Sequence, residues 1–141
     1  MVEVLLIRPV IAIGLIIGLY ELFAIHADMN FRGSHWFGHG IHATIISIIA
    51  VFITMNTEYF LAATGLGSTS IPVITNPIIV RILVGLFMVI KVHSVSAIGG
   101  TRLASAGMAE KWTHSLVVGV LIAVAPYLWT FIGPLFPAWL Q

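Results

Sequence analysis

The sequence predicts an all-α, polytopic integral membrane protein: a four-transmembrane-helix bundle with short loops, forming a single transmembrane domain over residues 1–141. Three observations lead there. Of 141 residues 60% are hydrophobic and only 8% charged, whereas a soluble domain carries about a quarter charged residues. Too little charge is present to coat a surface in water, so the expected solvent is lipid. Four stretches also reach the roughly 20 apolar residues that a helix needs to cross a bilayer core. The segments between them are too short to hold a separate soluble domain.

The first span is expected over about residues 5–25. Its leading segment, "MVEVLLIRP", is weakly basic, and "AIHA" is a poor cleavage site, so it reads as a span rather than a signal peptide. The second is expected over about 39–61, starting as early as His35 if Ser34 caps it. Asn76 and Pro77 open the third, over 77–99, as N-cap and first helical residue, and Gly99-Gly100 closes it. The fourth covers about 113–139. Pro126 within it predicts a kink rather than a break, because neighbouring helices can satisfy the freed backbone groups.

Alternating spans put loops 26–38 and 99–112 on one face of the membrane, and both termini with "AATGLGSTSIPVITN" on the other. All six histidines then fall at the first face: His26, His35, His39 and His42 in or beside the first loop, His93 and His114 beside the third. Arg32, Arg102 and Lys111 lie there too, which by the positive-inside rule makes it cytoplasmic. The host is a bacterial or archaeal plasma membrane or an organelle inner membrane.

"SHWFGHGIHA" concentrates the imidazoles. On a helix, His35, His39 and His42 stand at i, i+4 and i+7, along one face. Two imidazoles a turn apart are a common way to offer two ligands to one metal, and His26, His93 and His114 could complete a set from other helices. Copper, iron and zinc ions all accept imidazole; haem b, with two axial histidines, is the further expectation. The bland alternative is wet, hydrogen-bonded interfacial histidines. Gly38 and Gly40 weaken the helix that the stripe needs, and the His-x-x-His-His box of membrane di-iron oxygenases is lacking.

Small and polar residues predict the packing. Gly14 and Gly18 form a Gly-x-x-x-Gly face on the first span. Gly40, Thr44, Ser47, Val51, Thr54 and Glu58 recur at steps of four and three on the second; they read as a packing seam or as a polar pathway reaching to Glu58. Glu21 lies about five residues inside the interface, where an unpaired charge is costly. Lys91 sits at comparable depth, so a Glu21–Lys91 pair, or a bond from His93 to Glu21, is expected; a Glu21 neutralised by its own proton is the alternative. Arg8 and Arg81 read as snorkelling anchors and the four tryptophans as interfacial belts.

There is no cysteine, which excludes disulfides, thiolate metal sites and covalent c-type haem. A net charge of +1 argues against nucleic acid. No nucleophile elbow, phosphate loop or dinucleotide fingerprint is present. Three function classes remain. The first is a small subunit of a membrane-bound oxidoreductase complex, with the histidine cluster binding metal or haem. The second is a non-catalytic accessory subunit stabilising a membrane enzyme, such as a respiratory complex or a copper-dependent monooxygenase. The third is a proton or cation conductor using Glu21, Lys91 and histidine. The expected partners are other integral-membrane subunits and the bilayer.

Overall fold

The computed structural model describes residues 5–27, 36–99 and 112–141, with the side chains of 25–27, 36–39 and 95–99 outside the description. Every regular element among the described residues is helical. In chain order these are α1 (Ile7–Ala27), α2 (Trp36–Met55), α3 (Thr57–Thr64), α4 (Pro72–Thr75), α5 (Pro77–Gly99), α6 (Trp112–Ala123) and α7 (Ala125–Ile132), with short 3-10 turns at Leu66–Ser68 and Gly133–Leu135. Two helices, α1 and α5, are by themselves long and apolar enough to cross a membrane; the number rises to four if each of two bent pairs is one span.

The helices pair as two antiparallel hairpins, α1 along α2 and α5 along α6. Glycine sets the first seam. A Cβ on Gly14 would meet the backbone of Ile48 at 2.8 Å, and one on Gly18 that of Thr44 at 2.6 Å, while one on Gly40 would run into Leu22. The contacts step by four residues in opposite directions along the two helices, as the Gly-x-x-x-Gly face requires. The second seam, between Gly85 and Gly119, escaped the sequence reading. There a Cβ on either residue would come within 2.7 Å of the other's carbonyl oxygen.

The core face of α1 follows helical spacing through Val10, Ile13, Gly14, Ile17, Gly18 and Glu21. It closes on Val51 and Met55 of α2, Met88 of α5, Val118 and Ile122 of α6 and Ala125 of α7. The outside is also hydrocarbon: Leu15, Ile16 and Phe23 on α1, Ile82, Phe87 and Ile90 on α5, and Phe131 on α7 are exposed.

Two spans expected to run on instead turn sharply. The axis of α2 meets that of α3 at 92° across Asn56, and that of α6 meets α7 and its following turn at 72°. At the second break the cause is Pro126, which has no N–H to give to Ile122 and sits in the first turn of α7. At the first, Asn56 leaves the helical region at φ −117°, ψ 43°. Its side chain instead accepts the Leu6 N–H at 2.8 Å and donates to the Phe52 carbonyl at 3.2 Å. At the start of α5, Asn76 Oδ1 accepts the Ile78 N–H at 2.9 Å and Pro77 is the first helical residue; the helix runs to Gly99, where the described residues stop.

Candidate functional site

Polar side chains gather at the two ends of the core. One end is built by the last turns of α1, the first of α2, the last of α5 and the first of α6. Glu21 continues the buried face of α1 and is only 3% exposed. Its partner is His114, two residues into α6, whose Nε2 stands 3.0 Å from Glu21 Oε1. The approach is close but off the axis of a hydrogen bond, so it is an electrostatic contact. On the other side of the imidazole, Nδ1 lies 2.9 Å from the Tyr20 hydroxyl, and the two rings tilt together with centroids 5.1 Å apart. His93 of α5 stacks on Trp112 of α6 at 3.7 Å. Its Nδ1 is buried and has no hydrogen-bond partner among the described residues.

Glu21 therefore takes His114, and the structure records no ion pair between it and Lys91. Depth along the helix points to Lys91 or His93 and does not single out His114; the rotation of α5 and α6 about their axes decides which side chain faces Glu21. Lys91 is half-buried. The expected bond from His93 to Glu21 is likewise not recorded, His93 facing Trp112.

Of the six histidines, His42, His93 and His114 have described side chains. All three lie at this end, His42 exposed on α2. Among the described residues no three metal-ligating side chains come together. His114 has Glu21 at one ring nitrogen and Tyr20 at the other. His35 lies outside the described residues, as do the side chains of His26 and His39, and the expected copper, iron, zinc or haem b site rests on those three.

The stripe on α2 serves packing. Gly40 and Thr44 meet α1, and Thr44 Oγ1 donates to its own helix at Gly40 O, 2.9 Å away. Thr54 is likewise closed on Val51 O at 3.1 Å. Ser47 is fully buried, and its hydroxyl finds no hydrogen-bond partner among the described residues. The stripe stops at Thr54, because the 92° turn carries Glu58 onto the exposed face of α3. Between Ser47 and Thr54 the core is filled by Val51, Val118 and Ile122, each 0% exposed.

Arg81 organises the opposite end. Expected as a snorkelling anchor, it turns inward: Nε donates to Thr54 O at 3.1 Å and to Thr57 Oγ1 at 3.2 Å, and Nη1 reaches the Tyr127 hydroxyl at 3.2 Å. Arg8 donates to the Trp139 carbonyl at 2.9 Å. Arg81 thus ties the carbonyl and hydroxyl groups flanking the two helix breaks, and Arg8 ties down the C-terminal segment, roles that position in the sequence did not signal.

No family model, no curated protein sequence and no solved structure matches the chain.

Proposed function

We propose that the chain is an integral membrane protein that crosses the bilayer four times, as α1, α2 with α3, α5, and α6 with α7, and acts as a small accessory subunit of a larger membrane-bound complex. One observation carries the reading: large hydrocarbon side chains cover the outside while several polar groups are buried. Glu21, Ser47, Thr54, Thr57 and Ser115 are buried, while Phe23 is 67%, Ile90 64% and Phe131 77% exposed. Water penalises such a surface; lipid and neighbouring spans do not. The engagement of His114 with Glu21 and Tyr20 moves the reading from cofactor-holding subunit to accessory subunit, and the apolar plug at Val51, Val118 and Ile122 weighs against a conductor open at both ends.

The absence of native cysteine makes the test clean. Single cysteines replacing Ser34, Ser105, Ser68 and Gln141 are probed with a membrane-impermeant maleimide in sealed vesicles. Four crossings require Ser34→Cys and Ser105→Cys to label from one side, and Ser68→Cys and Gln141→Cys from the other. Labelling of the first pair from opposite sides would overturn the topology. For the subunit role, native mass spectrometry after mild solubilisation is expected to show an assembly heavier than one chain, and a stable lone monomer refutes it.

A further inference from the structure

Tyr20, Glu21 and His114 make a chain of proton-exchanging groups that runs from the surface of the bundle to its core. Tyr20 is 44% exposed, the His114 side chain 19% and Glu21 3%. An ionisable group held inside an apolar bundle is expensive unless partnered, and such groups mark functional positions. We propose that these three residues form a proton-binding site, in which His114 takes up the proton and Glu21 holds the resulting charge.

The proton inventory supports this. A neutral imidazole carries one ring proton. When the Tyr20 hydroxyl donates to Nδ1, that proton stands on Nε2, facing Glu21 Oε1 at 3.0 Å. A second proton, delivered by water, bonds to Nδ1 once the hydroxyl rotates to accept instead of donate. Of the three groups only a hydroxyl can reverse in this way. The tyrosine keeps its own proton, one N–H bond is formed, and the net charge of the trio goes from one negative to zero. Uptake thus places an imidazolium beside the buried Glu21 side chain. Val51, Val118 and Ile122 close the core beyond the site, so the proton enters and leaves at the same end.

The following titratable groups surround the site among the described side chains. From α5 come half-buried Lys91 and His93, the latter stacked on Trp112 of α6. Among its described side chains α2 offers His42 at this end, exposed. Tyr127 of α7 is engaged by Arg81 at the far end.

The test uses the full chain in lipid nanodiscs, labelled with ¹⁵N in its histidine rings and followed by NMR across pH, with the His114 signals assigned by their loss in His114→Gln. In the parent chain both His114 ring nitrogens are expected to pass together from distinct neutral positions to the similar positions of a charged ring. In Glu21→Gln the charged-ring population at matched pH is expected to fall at least about tenfold, the scale of a lost close counter-charge, and in Lys91→Met to stay unchanged. Tyr20→Phe, on the outer face and so least disruptive to folding, is expected to shift the neutral Nδ1 signal. The proposal fails if the parent ring stays neutral throughout, if Glu21→Gln leaves the charged population intact, if Lys91→Met matches Glu21→Gln, or if Tyr20→Phe leaves Nδ1 unmoved. If Glu21→Gln does not fold, the parent titration and Tyr20→Phe decide.

Discussion

At the end formed by the helix breaks, polar side chains close on backbone: Asn56 on Leu6 and Phe52, Thr57 on Ile53 and Thr54, Arg81 on Thr54, Arg8 on Trp139. At the end that holds Glu21, side chains close on one another: Glu21 with His114, His114 with Tyr20, His93 with Trp112. The difference is instructive. A carbonyl has one protonation state, so bonds to it fix shape and little else. A carboxylate, an imidazole and a phenol each have two, so contacts among them carry chemistry that responds to conditions. Arg81 also reaches the Thr57 and Tyr127 hydroxyls, so the contrast is one of degree: the Glu21 end is proposed as the titrating site and the Arg81 end as its scaffold.

The largest effect is expected from a change that damages both ends together. Gly18→Leu would drive a side chain into the Thr44 backbone, only 2.6 Å from an ideal Cβ, where rigid backbone cannot yield. Separation of α1 from α2 is expected to cost about 3 kcal/mol or more, seen as lost helicity in thermal or denaturant unfolding in detergent, with loss of the His114 NMR signature. A cost under about 1 kcal/mol would show that the seam is not the common support of the two ends.

Arg81→Met comes next and should separate the ends. It removes the donors to Thr54 O, Thr57 and Tyr127 while keeping much of the apolar stem. The Thr54 carbonyl keeps Thr57 Oγ1 as a donor, so the expected cost is that of the lost charged hydrogen bonds, about 1–3 kcal/mol in the same unfolding measurement. The His114 titration should stay as it was; a change there would mean that the Arg81 end is more than scaffold.

Much of this contrast was legible in the sequence and some was not. Hydrocarbon runs located the long helices, Asn76-Pro77 gave the start of α5, and Gly14 and Gly18 gave the α1–α2 seam, because each signal is local to one segment. The breaks are harder. Pro126 announced a kink, but the size of the bend depends on what α7 packs against. Asn56 announced nothing, since its non-helical backbone is held by the N–H of Leu6, fifty residues away. For Glu21 the sequence suggested Lys91 or His93 from depth alone and missed His114, because helix rotation, which a single apolar sequence leaves undetermined, decides which side chain faces it. Gly85 and Gly119 escaped for a similar reason: one glycine on each helix makes no repeat, and only their meeting makes a seam.

A smaller effect on stability is expected at the Glu21 end. Glu21→Gln keeps the volume of the side chain and one acceptor oxygen while removing the charge. His114 can release its proton, so no uncompensated charge is left in the core. The cost of removing one member of a buried pair comes mainly from the charge left behind; here the net change should be within about 1 kcal/mol, although the titration changes strongly. A loss as large as that of Arg81→Met would make the Glu21–His114 contact a structural bond and erase the distinction between the ends.

The smallest quantity expected is also the most direct measure of that distinction, the coupling between Arg81→Met and Glu21→Gln. From Thr44, opposite Gly18, to Thr54, bonded by Arg81, α2 advances ten residues, about 15 Å at 1.5 Å each. The intervening core is filled mainly by Val51, Val118 and Ile122, with Ser47 beside them, and no hydrogen bond recorded among the described residues links the two groups. Sites so separated, with no shared partner, add to within about 0.5 kcal/mol. The double variant should therefore lose the sum of the single losses, measured by the same unfolding. A coupling of about 1 kcal/mol or more would require a path through the plug, with α2 the element common to both ends. The proton site would then bias the geometry of the helix breaks, and the far end would be its readout rather than its scaffold.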